Sequence, residues 1–172
     1  LFVAKLIENR RIVEFLNENM QKLDKDITLL IIGDGPQSQE VEQYSSMFEK
    51  RIIHIKQVSY SNLYKYYSIA DGYFHPGKEP YSLALVQAII CKLPIVTSTD
   101  VGAACDFIVD SKNGYLVEKN DISKYSFYMN LIRNRNFDVN YIETEFLNVK
   151  KIFDCKKIAF RIKKIAEKDV IE

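Results

Sequence analysis

Short apolar runs alternate along the chain with segments whose apolar residues recur at helical spacing, the pattern expected of a parallel sheet covered by helices. The apolar runs predict strands at residues 1–6, 27–32, 52–56, 72–75, 94–98 and, most weakly, 114–117. Between the first two, Ile12, Phe15, Leu16, Met20 and Leu23 fall on one side of a helix. Residues 38–50 carry Val41, Tyr44, Ser45 and Phe48 on a similar stripe, and Leu63, Tyr66, Tyr67 and Ala70 repeat it in the next crossover. Residues 82–91 are apolar at nearly every position, which predicts a helix in the middle of the domain and not on its surface. Asp121 and Ser123 are candidate caps for a helix carrying Ile122, Tyr125, Tyr128, Met129 and Ile132. Residues 134–140 read as polar and irregular, and a terminal amphipathic helix follows with Ile152, Ile158, Ala159, Ile162 and Ile165 among seven Lys/Arg between Lys150 and Lys164. The expectation is a doubly wound, Rossmann-like α/β unit over residues 1–134, with about six parallel strands and helices on both faces, and a helical tail over 135–172 packed on it.

The balance of 24 Lys+Arg against 23 Asp+Glu leaves a formal net charge of +1, without the broad positive field of a nonspecific nucleic-acid binder. A small anion remains compatible with it. No apolar stretch approaches the ~18 residues of a membrane-spanning helix. Cys91, Cys105 and Cys155 are odd in number and have no C-x-x-C spacing, so reduced, intracellular thiols are expected. With only His54 and His75 in the chain, no metal-ligand spacing is present. Leu1 opens directly into a strand without a basic leader, so the chain reads as a piece of something longer and as cytoplasmic.

In open α/β sheets, ligands bind outside the carboxyl ends of the strands. The residues there are Lys5 to Arg11 after the first strand, Gly33 to Pro36 after the second, Pro76 to Ser82 after the fourth and Ser98 to Gly102 after the fifth. Six of the ten Gly and Pro lie between Gly72 and Gly102, where backbone shape is most tightly specified. Gly33-x-Gly35-x-x-Ser38 suggests a dinucleotide turn, but its third position is not Gly and residues 53–57 supply no acid for a ribose, so a plain strand-to-helix turn is favoured over an NAD site.

The helix starting near Ser82 and Leu83 presents free amides toward the sheet's carboxyl edge, a ready anion site. Its one strongly polar residue, Gln87, needs a partner: either a neighbouring loop carbonyl or a ligand hydroxyl in the pocket. Glu79 alone reads as a solvated loop carboxylate. Lys5, at the end of a core strand, and Arg10 are placed to approach the anion site at Ser82, although a surface Lys and Arg near a helix start remains the plain alternative. Two cations and a helix terminus have the strength to hold a diphosphate, since charge-assisted hydrogen bonds contribute roughly 1.5–3 kcal/mol each.

These positions resemble the carboxyl-terminal half of glycosyltransferase family 4, the "group 1" family with the GT-B fold. Residues 3–10, Val-Ala-Lys-Leu-Ile-Glu-Asn-Arg, are similar to its V-G-R-L-x-x-x-K; residues 31–36 to its I-x-G-x-G-P; and residues 67–76 to its Y-x-x-A-D-x-x-x-x-P. The most specific stretch, Glu79-Pro80-Tyr81-Ser82-Leu83-Ala84-Leu85-Val86-Gln87-Ala88, resembles E-P-F-G-L-x-x-x-E-A. Residues 93–96 and 113–117 follow its G-x-P-V and N-G-x-L-V. The resemblance covers nearly the whole chain.

It implies a donor-binding domain for a nucleotide-diphosphate sugar, acting with retention of configuration and without a metal or other cofactor. Lys5 and Arg10 are then expected to hold the diphosphate with the Ser82 and Leu83 amides. Glu79 contacts sugar hydroxyls as the catalytic candidate, Gln87 takes the place of a ribose-binding Glu, and Val58 lies near the base. The implied partners are an acceptor and a missing amino-terminal domain; the basic tail reads first as a solvated helix face, with packing against that domain or against an anionic membrane surface at the inner face of the cell membrane as alternatives. Polysaccharide or glycolipid assembly is the implied setting, and the isolated chain is expected to transfer little or no sugar. Three departures, Lys for Arg at 5, Ser for Gly at 82 and Gln for Glu at 87, leave open a degenerate homologue that binds nucleotide or partner without catalysis. A sugar-nucleotide epimerase shares the architecture but not the segment around Glu79.

Overall fold

The structure, a computed structural model, describes residues 1–134, 139–154 and 156. Its strands are β1 (Phe2–Val3), β2 (Leu29–Ile32), β3 (Ile52–Ile55), β4 (Tyr73–His75), β5 (Ile95–Ser98) and β6 (Gly114–Val117). They form two parallel three-stranded sheets, ordered β1-β2-β3 and β4-β5-β6. The sheets meet where β4 lies beside β1: the Leu1 nitrogen donates to Gly72 O at 2.8 Å and Phe74 N donates to Leu1 O at 2.9 Å, the bonding pattern of a parallel pair. The spatial order is therefore β3-β2-β1-β4-β5-β6, and it reverses between β1 and β4. That reversal creates the crevice in which open α/β sheets bind ligands.

Strands covered on both faces read as continuous apolar runs because alternate residues enter opposite cores. Phe2, Phe74 and Val96 pack on one side with Phe15, Leu16 and Tyr125. Their neighbours Leu1, Tyr73 and Ile95 pack on the other with Tyr67, Leu85 and Ala103. Each such side chain, fully buried, contributes roughly 1.5–3 kcal/mol. Helices α1 (Ile12–Asn19), α2 (Ser38–Met47) and α6 (Tyr125–Arg133) supply residues to the first core, while α3 (Tyr60–Ile69), α4 (Leu83–Ile90), α5 (Gly102–Phe107) and α7 (Val139–Ile152) supply residues to the second. The doubly wound expectation holds. No helix among the described residues is long and apolar enough to cross a membrane.

Several boundaries differ from the sequence reading. β1 stops at Val3, although Ala4 N and Leu6 N continue to donate to Ile32 O and Asp34 O. α2 ends at Met47, three residues before Lys50 takes a left-handed φ of 65°. The helix expected to be wholly interior is not: Leu83 at its start is 65% exposed and Ile90 at its end 43%, because only one side of α4 faces the sheet. Neither Asp121 nor Ser123 caps α6; a 3-10 turn at Ile122–Lys124 leads into it, and the Asp121 carboxylate pairs with Lys124 at 2.5 Å. α5 forms where the sequence reading placed no helix, and α7, within the expected helical tail, already begins at Val139 inside the stretch read as irregular. Most of the predicted amphipathic helix after Ile152 lies outside the described residues.

Candidate functional site at the β1–β4 crevice

The loops leaving β1 and β4 are laced together. A 3-10 turn at Glu8–Arg10 brings the chain against the loop after β4, where Lys78 N donates to Asn9 O at 2.7 Å. Only glycine fits at position 77, since a Cβ there would lie 2.2 Å from Asn9 O and 2.3 Å from the Arg10 Cα. The Arg10 guanidinium donates through Nη1 to Lys78 O and sets Nη2 3.2 Å from Glu79 Oε1. Glu79 is also fixed through its backbone: its N donates to Asp100 O at 3.3 Å and its O accepts from Gly102 N at 3.0 Å.

The second Glu79 oxygen, Oε2, lies 3.2 Å from Nε2 of His75, near enough for an ion pair but off the line of a well-formed hydrogen bond. His75 is completely buried, with its ring 5.6 Å from that of Phe2. The His75 ring holds the Glu79 carboxyl below the usual carboxylate range, against a smaller upward push from burial; the Ser82 hydroxyl and the Arg10 charge act in the same direction as His75. Burial pushes the neighbouring Tyr73 phenol up. Among the described residues, seven buried side-chain polar atoms lack a well-aligned hydrogen-bond partner, and five of them belong to Arg10, Tyr73, His75 and Glu79. Native interiors satisfy nearly all such atoms, so their concentration here makes the crevice the candidate polar site among the described residues.

Ser82 closes the cluster from the far side. It is buried at φ 62°, ψ 86°, a left-handed conformation in which L-residues are strained, and its Oγ accepts from Leu85 N at 3.3 Å to cap α4. The cap leaves the first-turn amides, which have no carbonyl four residues back, at the crevice end of α4. Four residues beyond Leu83, about 6 Å along the helix axis, half-buried Gln87 donates through Nε2 to the Tyr60 hydroxyl at 3.3 Å. Its partner is thus a phenol, neither of the two expected. Tyr60, 81% exposed, begins α3 beside a cleft of ≈ 520 Å³ lined by Gln57, Val58, Ser59, Asn62, Lys65 and Tyr66 among others.

The structure therefore brings Arg10, Glu79 and Ser82 together, sets Leu83 at the same helix start, and continues through Gln87 to the Val58 cleft. Lys5 stands apart: it follows β1 on the same carboxyl edge, but its side chain is exposed, not held in the core, and it makes no ion pair among the described residues. Sequence reasoning missed His75, Tyr73 and Tyr60. For His75 the available signal was a histidine ending a buried strand with a carboxylate four residues on; nothing in the sequence pairs Tyr60 with Gln87. The turn after β2 is structural: Gly33 and Gly35 take φ of 154° and 156°, a Cβ on Gly33 would meet Ala4 O at 1.8 Å, and the Gly35 amide is occupied by Asp34 Oδ1 and Ser38 Oγ.

A cation, an ionised carboxylate and a helix start stand together at the order reversal of a doubly wound sheet, where domains of the nucleotide-binding type take their ligands. The family model described as "Glycosyl transferases group 1" matches residues 1–144, and the chain belongs to that family. It is 27% identical over 131 residues to a probable sucrose-phosphate synthase of Thermosipho melanesiensis, covering 70% of this chain and 31% of the relative. Among solved structures, Anabaena HepE in complex with UDP-glucose superposes with a TM-score of 0.81 at 16% identity, over 97% of this chain and 48% of that one. The pneumococcal O-GlcNAc transferase GtfA, in complex with UDP and GlcNAc, gives 0.78 at 19% identity over 99% and 35%. Sucrose-phosphate synthase from Thermosynechococcus elongatus gives 0.76 at 20% identity over 97% and 45%. The chain thus spans less than half the length of each of these relatives.

Proposed function

We propose that this chain is the donor-binding domain of a retaining glycosyltransferase, taking a nucleotide-diphosphate sugar in the β1–β4 crevice. The observation that carries the reading is the gathering of buried polar side chains, Arg10, Tyr73, His75 and Glu79, several of whose atoms have no well-aligned partner, where the strand order reverses. Arg10, Lys5 and the amides of Ser82 and Leu83 meet the diphosphate, whose charge builds up as the sugar departs. Glu79, kept ionised, accepts hydrogen bonds from sugar hydroxyls. Gln87 reaches the ribose, and the Val58 cleft receives the base. The acceptor and the other wall of the active site come from an amino-terminal domain, so the isolated chain binds donor weakly and transfers little sugar. Sugar transfer in polysaccharide or glycolipid assembly at the cytoplasmic side of a membrane fits the family.

A second reading, nucleotide or partner binding without transfer, has one observation in its favour: Glu79 and Lys78 O hold Arg10, and Tyr60 holds Gln87, so both must exchange partners to serve a donor. A binding panel of UDP, GDP and ADP and their sugar conjugates, with Lys5→Ala and Glu79→Ala as controls, tests the donor site. A ligand at 100 times its dissociation constant stabilises the fold by about 2.7 kcal/mol; no stabilisation by any of them at millimolar concentration would remove the reading. Product analysis with the full-length protein then separates transfer from binding alone.

A further inference from the structure

We propose that His75 is the positioning residue for Glu79, fixing the carboxylate in the one orientation in which its free lone pairs face the crevice. This rests, for its consequence on sugar binding, on the donor-site reading above.

The His75 backbone cannot shift easily. β4 holds it in register with Thr97 of β5, and its carbonyl accepts from Thr97 Oγ1 at 3.3 Å and from the buried Tyr125 hydroxyl at 3.0 Å, so two further elements fix it from outside the strand. Its ring is fully buried against Phe2, and the polar atom facing Nε2 is Oε2 of Glu79 at 3.2 Å. A buried histidine ring is costly without polar neighbours; Nε2 has the Glu79 carboxylate 3.2 Å away, though off the hydrogen-bond line, while Nδ1 has no hydrogen-bond partner among the described residues.

Glu79 in turn has each oxygen facing a different nitrogen: Oε1 faces Arg10 Nη2, at the end of a long side chain, and Oε2 faces His75 Nε2, on a rigid ring in a strand. Arg10 alone leaves the carboxylate free to turn about its last bond and to follow the guanidinium when that group moves to an anion. The His75 contact prevents this, so Arg10 can leave Glu79 for a phosphate without releasing it. The groups facing Glu79 are Arg10 from the 3-10 turn, His75 and the Tyr73 phenol from β4, and the Ser82 hydroxyl from the cap of α4. The low carboxyl of Glu79, with His75 as its largest cause, agrees with the geometry.

The test compares wild type, His75→Leu and His75→Gln by three readouts. The ¹⁵N resonances of the wild-type imidazole report which nitrogen carries a proton, and Nε2 is expected to carry it. The ¹³C titration of the Glu79 carboxyl is expected to move upward in His75→Leu and to return in His75→Gln, whose amide can donate from a similar place. The affinity of UDP-glucose relative to UDP is expected to fall roughly tenfold in His75→Leu, the size of one lost charge-assisted contact, with partial rescue in His75→Gln. An unprotonated Nε2 facing Glu79, or a Glu79 titration unmoved in His75→Leu, overturns the proposal. Should His75→Leu not fold, the wild-type tautomer decides it, Nε2 carrying the proton upholding the proposal and an unprotonated Nε2 overturning it. A titration that moves as expected in a protein that binds neither UDP nor UDP-glucose upholds the positioning and overturns the donor-site reading.

Discussion

Nη2 of Arg10 lies 3.2 Å from Oε1 of Glu79 and joins the loop that follows β1 to the loop that follows β4. The pair sits where the strand order reverses, so the carboxylate is ionised by neighbours that belong to both halves of the sheet. Its folded-state pKa lies below the ordinary value of 4.5, so its contribution to stability is complete above that pH and is lost as pH falls through the folded value. Glu79→Gln lacks this contribution. The difference between wild-type and Glu79→Gln urea midpoints should be constant near neutrality and shrink below about pH 4.5.

Ser82 offers a contrast between strain and capping. Its left-handed backbone costs an L-residue roughly 1–2 kcal/mol, while its Oγ cap is worth about 1 kcal/mol against alanine and only a few tenths against glycine. Ser82→Gly should therefore stabilise the fold by about 1 kcal/mol and Ser82→Ala should destabilise it by about the same amount, as read from urea unfolding.

At Gly77 the backbone of Asn9 and Arg10 leaves no room for a methyl group. Gly77→Ala should cost about 1–3 kcal/mol by forcing the two loops apart. The loss should be local as well as global, with the Lys78 amide exchanging faster with solvent than in wild type because its bond to Asn9 O is broken.

Gln87→Glu supplies a charged acceptor where the chain now has an amide. If the ribose is bound there, UDP affinity should rise about fivefold, the difference between a neutral and a charge-assisted hydrogen bond. Titration calorimetry on both proteins measures this, and unchanged or weaker binding would count against a ribose contact at Gln87.

Asn19 provides a control remote from these loops. Its buried amide donates to Phe15 O at 3.1 Å and Ile122 O at 2.9 Å and accepts from Ser126 N at 3.0 Å, tying α1 to the 3-10 turn and to α6. Asn19→Leu takes the acceptor from buried Ser126 N and one of the donors from Phe15 O and Ile122 O, and should cost about 1–3 kcal/mol in unfolding experiments, with nucleotide affinity unaltered.

The inner strands were legible because they are buried on both faces and mostly apolar, and the edge strand β3 because Ile52, Ile53 and Ile55 recur in it although Ile53 is exposed; the crevice was legible because Gly and Pro crowd the loop after β4. α5 was not, since six residues with Ala103, Ala104 and Phe107 inward are too few to display a helical period. The run of residues 82–91 suggested full burial, yet apolar residues are permitted on a surface, and Leu83 and Ile90 are on it. Ser82's left-handed backbone and the meeting of Gln87 with Tyr60 depend on where distant loops come to rest, which no local pattern records. Taken alone, Glu79 reads as a solvated loop acid, and only the family resemblance singles it out in the sequence; its place between Arg10 and His75 depends on the fold.

The two ladders touch through a narrow seam, Leu1 against Gly72 and Phe74, and the lacing of Asn9 to Lys78 lies directly above it. A molecule bound across those loops would bridge the same two strands that the seam joins, so its occupancy and the pairing of the sheets would be thermodynamically linked.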